Sequence, residues 1–157
     1  MLKFEFYLPK RSKGFDVKKY TVDELFVKIY GNFKIYDSDR LFFEEPELCI
    51  FEFVTDLNYW IKNTPLKNYY YYSLEHHEPI FSFLDMGEKK WYIDSVWKKM
   101  DAIIVDEDEL IKSIICFIKN FEIDLSKEYK IELSEKKYNK NIEGKKYFIE
   151  KRESQKI

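Results

Sequence analysis

The chain has little of several residue types on which catalytic and ligand sites depend. Its 157 residues include four glycines, four prolines, two cysteines and two histidines. Four glycines cannot build a phosphate cradle, and neither GxGxxG nor a P-loop motif occurs, so nucleotide-dependent chemistry is not expected. Ser82 and Ser95 lie in strand-like sequence outside any GxSxG elbow. The scarcity of glycine and proline also predicts mostly regular structure with short turns.

The cysteines and the apolar runs indicate the cellular compartment of the protein. Cys49 and Cys116 lie among apolar residues of predicted helices and form no CxxC motif, which predicts buried free thiols in a reducing compartment. The N-terminal residues lack the unbroken apolar core of a signal peptide. No apolar run reaches the roughly 20 residues that a membrane span requires. We therefore expect a cytoplasmic protein with no membrane partner.

The two histidines, His76 and His77, stand between Glu75 and Glu78. Adjacent residues of a strand point to opposite faces, so both imidazoles could share a metal only in a loop. No further histidine or suitable cysteine completes a zinc site, and no oriented nucleophile accompanies them. We expect no metal, no cofactor and no catalytic residue, and interpret the segment as a solvated turn or a partner contact.

Aromatic and charged residues, in contrast, are abundant. The chain has 14 Phe, 13 Tyr and 3 Trp. Packing explains most of them, but tyrosine and tryptophan also favour protein interfaces. Residues 1–125 carry 17 basic and 23 acidic side chains, a net charge of −6, whereas residues 126–157 carry ten and six, a net of +4. Because an acidic body repels a phosphate backbone and attracts a basic partner, nucleic acid is not the expected ligand.

Period-2 alternation and turn residues predict the strands. Three aromatic-rich blocks between residues 69 and 100 predict consecutive antiparallel strands, with a hairpin centred on Met86, Gly87 and Glu88. Upstream, alternation predicts a strand over residues 25–36 that is interrupted by a turn at Gly31 and Asn32. The full set of predicted strands in residues 1–125 is 2–7, 25–30, 33–36, 40–43, 69–74, 80–84 and 90–96.

Helical spacing of apolar residues predicts two helices. The first begins at Glu44-Glu45-Pro46, with proline in the first turn, and ends near Asn63 ahead of Pro65. The second begins with Asp106 as N-cap and Glu109 three residues later, a capping-box pattern. Its predicted apolar face comprises Leu110, Ile111, Ile114, Ile115, Ile118 and Phe121.

These elements predict an α+β fold, in which an antiparallel sheet of about five or six strands carries two helices packed mainly on one face. Residues 1–125 are expected to form a single domain. Residues 126–157 are expected to form a charged C-terminal appendix, either a late hairpin over residues 129–133 and 145–149 or a partly disordered tail.

The aromatic elements resemble those of small bacterial proteins found among toxin-immunity cassettes. The resemblance covers residues 46–120. It rests on Tyr59-Trp60, on the strands YYYS (70–73) and EPIFSF (78–83), and on WYIDSVW (91–97). It implies a cytoplasmic, non-enzymatic protein that neutralises a cognate toxin by covering its active or substrate-binding site. It carries over no catalytic residue.

The leading hypothesis is therefore an immunity protein that binds a basic toxin domain, since charge complementarity speeds encounter and selects partners. Two alternatives remain, namely a self-associating interaction module that uses the aromatic sheet face and a small enzyme that uses His76 or His77. Exposed tyrosine, tryptophan and acidic residues are the expected anchors. The predicted partner-binding residues are Tyr70, Tyr72, Glu75, His76, His77, Glu78, Asp94 and Trp97.

Overall fold

The computed structural model describes residues 1–73 and 78–155, which form seven strands and four α-helices. The chain is α+β, as the sequence predicted. In chain order the elements are β1 (Leu2–Tyr7), α1 (Val22–Lys28), β2 (Gly31–Asp37), β3 (Arg40–Leu48), α2 (Ile50–Lys62), β4 (Tyr69–Tyr71), β5 (Phe81–Gly87), β6 (Lys90–Ser95), β7 (Ile103–Asp106), α3 (Glu107–Tyr129) and α4 (Lys136–Ser154).

The strands form two antiparallel sheets, so the prediction of one sheet with five or six strands is wrong. The first sheet has the order β1-β2-β3 and the second the order β4-β5-β6-β7. Helix α2 separates the sheets along the chain. Its Ile50, Phe51, Phe53 and Val54 are all fully buried, so apolar residues surround much of the helix. A helix of this kind needs cover from several directions, which here comes from strands of both sheets and from the helices α1, α3 and α4.

Aromatic rings from both sheets and from α2 and α3 meet in one core. Phe33 of β2 lies 6.1 Å, centroid to centroid, from Phe81 of β5 and 5.0 Å from Phe53 of α2. Phe117 of α3 lies 5.1 Å from Phe33. Trp60, near the end of α2, packs between Tyr69 and Trp91 of the second sheet. Most of the abundant aromatic residues therefore fill this core.

The prediction of two helices is wrong because two further segments are helical. Residues 22–28 form α1 where alternation predicted a strand. Thr21 accepts a hydrogen bond from the Glu24 backbone N–H and Glu24 accepts one from the Thr21 N–H, a complete capping box. Gly31 is not a turn residue but begins β2, where a Cβ would lie 2.4 Å from the Tyr7 carbonyl oxygen.

The predicted start of the first helix is also wrong. Glu44, Glu45 and Pro46 belong to β3, and α2 begins only at Ile50. Strand β3 lies at the edge of its sheet, where proline is tolerated because no ladder hydrogen bond is lost. The predicted end of this helix is confirmed, because α2 ends at Lys62 with Asn63 as C-cap.

Helix α3 confirms the predicted start but not the capping box. Asp106 is the N-cap, yet its side chain caps no backbone N–H and instead pairs with Lys90. Glu109 accepts a hydrogen bond from the Leu2 backbone N–H at 2.6 Å, which joins α3 to β1. Cys49 is buried, as predicted, whereas the prediction for Cys116 is wrong because that thiol is exposed.

The predicted late hairpin is wrong, because α3 continues to Tyr129 and residues 136–154 form α4. Tyr138 and Ile142 of α4 join the hydrophobic core. Tyr138 packs on Phe51 with ring centroids 5.1 Å apart. This i, i+4 apolar pair docks the first half of a helix whose remaining residues are mostly charged.

Candidate protein-binding surface

The outer face of the second sheet presents apolar and aromatic side chains to solvent. Strand register places Leu84, Tyr92 and Ile104 in one row across β5, β6 and β7. A second row runs from Tyr70 of β4 to Asp94 of β6. We call this surface the open face, and it consists of Tyr70, Ser82, Leu84, Tyr92, Asp94 and Ile104.

These side chains are accessible although their neighbours in the same strands are not. Tyr70 is 43 % exposed and Ile104 is 60 % exposed, and the other four residues are half-buried. Residues that alternate with them, such as Tyr69 and Trp91, are buried in the core. Because side chains alternate between the two faces of a strand, one face of this sheet builds the core and the other is free to meet a partner.

The outer face of the first sheet is different, because its polar groups pair with one another. Lys34 and Glu44 lie 3.6 Å apart, N to O, and the Asn32 amide donates to Glu44 at 3.0 Å. Lys3 and Glu5 form a further ion pair at 2.6 Å. Of the two sheets, the second therefore offers the more apolar outer surface.

The segment that builds most of the open face is acidic. Residues 78–109, which include β5, β6 and β7, carry nine acidic and four basic side chains, a net charge of −5. Asp94 lies within the face and is paired with Lys98, with 2.8 Å between Oδ1 and Nζ. Apolar anchors in an acidic surround suit a partner that presents apolar groups among basic ones.

The structure brings some of the predicted binding residues together and separates others. Tyr70 and Asp94 lie in one row of the open face. Tyr72 follows the end of β4, half-buried, with the Arg152 guanidinium 5.7 Å from its ring centroid. Trp97 follows the end of β6 and stacks on Phe43, with ring centroids 6.4 Å apart. It is thus directed towards the first sheet.

The predicted turn next to β4 falls mostly outside the described residues. Glu75, His76 and His77 lie in that part of the chain, and Glu78 is an exposed residue beyond it. Within residues 1–73 and 78–155, no group of three or more His, Cys, Asp and Glu side chains is placed to hold a metal ion. None of the helices so described is long and apolar enough to cross a membrane.

A buried charge cluster, which the sequence interpretation missed, lies between α2 and α4. Glu52 and Asp56 of α2 are 0 % and 1 % exposed. The Lys145 ammonium lies 3.0 Å from Asp56 Oδ2 and 3.7 Å from Glu52 Oε2, and the Lys146 ammonium lies 3.1 Å from Asp56 Oδ1. The Tyr71 hydroxyl donates to Glu52 Oε1 at 3.0 Å. Two carboxylates are thus compensated by two cations from another helix.

Tyrosine rings complete this cluster. The Lys145 ammonium lies 5.0 Å from the Tyr71 ring centroid, and the Lys146 ammonium lies within 6 Å of the rings of Tyr59 and Tyr69, distances at which a cation is attracted to a ring face. Burial raises the pKa of both Tyr69 and Tyr71 well above its ordinary value, and the neighbouring carboxylates raise it further. Both hydroxyls therefore remain protonated at neutral pH.

One signal in the sequence pointed to this cluster. Glu52 stands between Phe51 and Phe53 in a segment whose apolar residues surround the helix. An acidic residue in such a segment must be buried together with a partner. Its partners were not predictable, because Lys145 and Lys146 follow it by 93 and 94 residues and belong to a segment that was expected to be a hairpin or a partly disordered tail.

One family model matches the chain, with the description "Domain of unknown function (DUF7878)", over residues 4–127. The match spans β1 to nearly the end of α3, and therefore includes the open face and both carboxylates of the buried cluster but not α4. No curated protein and no solved structure matches the chain. Because the family model covers well over half of its length, the chain belongs to the DUF7878 family.

Proposed function

We propose that this chain is a non-enzymatic binding protein that neutralises a basic bacterial toxin domain by covering its active or substrate-binding site. The observation that carries the proposal is the open face, a sheet surface with exposed Tyr70 and Ile104 and half-buried Tyr92, most of which is built by the acidic residues 78–109. Four strands at a spacing of about 4.8 Å span roughly 14 Å from β4 to β7. A surface of this width and strand length has room for the few central residues of a protein interface.

Residue chemistry supports a protein as the ligand. Tyrosine is among the residues that contribute most to binding energy, and such residues cluster near the centre of an interface. Tyr92 lies in the middle of the open face, on an inner strand between Leu84 and Ile104. Its flat amphipathic ring contributes a large contact area at a low cost in conformational entropy.

Charge supports a basic partner over nucleic acid. Residues 78–109 carry a net charge of −5, and an acidic surface repels phosphate groups while it accelerates encounter with a cationic protein. The resemblance of residues 46–120 to immunity proteins agrees with this preference. Activity of the toxin would be blocked by coverage alone, without any catalytic residue in this chain.

Toxicity rescue in cells tests the proposal. The product of the immediately upstream gene would be expressed with and without this protein, and growth and co-purification would be measured. We expect the upstream product to stop growth, the wild-type protein to restore it as a stoichiometric complex, and the double variant Tyr70→Ala/Tyr92→Ala to lose both effects.

A matched control removes two tyrosine side chains from a different part of the surface. Tyr7 and Tyr30 are 65 % and 48 % exposed and lie outside the open face, so Tyr7→Ala/Tyr30→Ala should rescue as well as the wild type. Equal rescue by the open-face variant would refute the assignment of the surface. A tight homodimer that buries the open face, with no complex with the upstream product, would instead favour a self-associating module.

A further inference from the structure

Other parts of the chain reach both edges of the first sheet. At β1, the Leu2 backbone N–H donates to Glu109 of α3, and the Leu2 carbonyl accepts from the Ser113 hydroxyl. At β3, the Phe42 carbonyl accepts a hydrogen bond of 2.7 Å from the Lys99 backbone N–H. Cover of this kind is common, because the unpaired backbone groups of an edge strand invite pairing with a further strand.

The β7 edge of the second sheet presents unpaired backbone groups instead. Strand β7 lies at the end of its sheet and pairs with β6. The Glu107 backbone N–H donates to the Lys89 carbonyl, which continues the register of these two strands. Hydrogen-bonded pairs alternate with non-bonded pairs along an antiparallel ladder. Ile103 and Val105 therefore bond to β6, whereas the N–H and the carbonyl of Ile104 point away from it.

These two Ile104 groups are available to a ligand. No hydrogen bond from residues 1–73 or 78–155 reaches them, and the Ile104 side chain, which belongs to the open face, is 60 % exposed. A peptide backbone supplies both an acceptor for the N–H and a donor for the carbonyl. Extended segments use this complementarity when they add to the edge of a sheet.

Exposed acidic residues stand at both ends of β7. Residues 101–109 contain five acidic and no basic side chains. Asp106 is already paired with Lys90. Asp101, which precedes the strand, and Asp108, which follows it, are exposed, and neither forms an ion pair with the part of the chain that the structure describes. A segment that lies along β7 therefore meets uncompensated negative charge at each end, which favours basic residues there.

We propose that the toxin domain adds an extended segment with basic residues at its ends to β7, as a fifth strand of the second sheet. The inference rests on the proposed function and names the way in which the partner is held. Two backbone hydrogen bonds at Ile104 fix the segment. Its outward side chains continue the row of Leu84, Tyr92 and Ile104 across the open face, where cross-strand neighbours pack on one another.

Amide hydrogen exchange tests the proposal. It would be followed by NMR in the full chain, with and without the product of the immediately upstream gene. We expect exchange of the Ile104 N–H to slow by at least about tenfold in the complex, because this group gains a hydrogen-bond partner. The Val105 N–H is the internal control, since it bonds to β6 in both states and should exchange slowly in both.

The outcomes separate this inference from the proposed function. If a complex forms that Tyr92→Ala weakens, but the Ile104 N–H still exchanges as fast as in the free protein, the added strand is refuted and the proposed function stands. If the upstream product does not bind, both are refuted. If the Ile104 N–H becomes protected in the free protein as its concentration rises, a second copy occupies the edge, and the toxin segment is refuted as its occupant.

Proline separates a backbone bond from a side-chain contact. Ile104→Pro removes the side chain together with an N–H that points away from β6, so the sheet loses no ladder bond. Ile104→Ala removes the side chain and keeps the N–H. We expect Ile104→Pro to bind the upstream product at least about tenfold more weakly than Ile104→Ala, because the proline ring lacks the donor. Equal affinities would overturn the proposal. If Ile104→Pro does not fold, hydrogen exchange in the wild-type chain decides the question.

Charge variants test the basic character of the segment. Asp101→Asn/Asp108→Asn should slow association with the upstream product by about threefold or more at low salt, since complementary charges steer encounter. The control Asp23→Asn/Asp39→Asn removes two exposed acidic side chains outside the second sheet and should slow association less. Equal effects of the two double variants would contradict a basic segment at β7.

Discussion

Loss of the Lys145 charge should destabilise the protein far more than loss of a surface lysine. In Lys145→Met the aliphatic stem remains, but Glu52 and Asp56 lose the cation that lies 3.7 Å and 3.0 Å from their oxygens. The Lys145 side chain is only 8 % exposed. Removal of one member of a buried ion cluster leaves uncompensated charge in a poorly solvated place and costs about 3–5 kcal/mol.

Urea denaturation measures this change directly. A domain of this size has an unfolding free energy of about 5–15 kcal/mol, so the loss would be a large fraction of the total. The thermal midpoint should fall by roughly 6–20 °C, at about 2–4 °C per kcal/mol. The control is Lys90→Met, whose ion pair with Asp106 is formed by side chains 51 % and 63 % exposed. It should cost under about 1 kcal/mol.

The same reasoning predicts recovery when the carboxylates are neutralised as well. The triple variant Glu52→Gln/Asp56→Asn/Lys145→Met keeps only the Lys146 charge in this group, on a side chain that is 29 % exposed, so it should regain most of the lost stability. A Lys145→Met protein within about 1 kcal/mol of wild type at neutral pH would refute this account of the cluster.

Three further predictions concern the core and the backbone. Ile114→Ala should cost about 2–5 kcal/mol because Ile114 is fully buried. Ile115→Ala, at a neighbouring residue that is 40 % exposed, should cost much less in the same denaturation assay. Equal losses would show that the assigned face of α3 is wrong. Gly31→Ala should cost about 1–3 kcal/mol because the new Cβ would meet a backbone carbonyl. Gly144→Ala, with open space around it, should instead stabilise α4 by roughly 0.5–1 kcal/mol. A stabilising change at Gly31 would contradict the close approach of β1 to β2. Burial raises the pKa of Tyr71 well above 10.0. The stability that its protonated hydroxyl contributes is therefore complete below pH 10 and is lost as the pH rises through the folded-state pKa. Tyr71→Phe should flatten the decline in stability above pH 10, and an unchanged slope would contradict the assignment of Tyr71 as a buried protonated residue.

Sequence patterns predicted the second sheet well because its signals are local. The blocks that became β5 and β6 combine alternation with a tight turn, and the predicted hairpin forms, with its turn at Glu88 and Lys89 rather than centred on Gly87. Trp91 and Ile93 share the buried face and Tyr92 lies on the other, as alternation required. Strand β7 was missed because its four residues directly precede α3, and so short an apolar run has no distinctive period.

The errors elsewhere arose where a tertiary contact overrides a local signal. Gly31 appeared to be a turn residue, but it is required because β1 approaches closely at that point. Pro46 appeared to start a helix, but it lies at a sheet edge that needs no donor. Helix α4 has a mostly charged sequence, and it packs against the rest of the protein through two apolar residues and two lysines that bind α2. None of these contacts can be deduced from neighbouring residues alone.

The candidate surface was predictable only in part for the same reason. Alternation placed Tyr70 and Asp94 on accessible strand positions, and register then joined them in one row. Leu84 and Ile104 were not proposed, because an apolar residue in a strand is normally assigned to the core. Only the pairing of four strands shows that both lie on the outer face beside Tyr92.

A calorimetric titration of the upstream gene product with this protein tests the central claim most directly. The wild-type protein should bind it with nanomolar or tighter affinity. Tyr92→Ala should weaken binding by about 30-fold or more, which corresponds to the loss of about 2 kcal/mol at an interface anchor, while Tyr7→Ala should bind like the wild type. Affinity unchanged in Tyr92→Ala, or lost equally in Tyr7→Ala, would contradict the claim that the open face is the surface that binds the toxin.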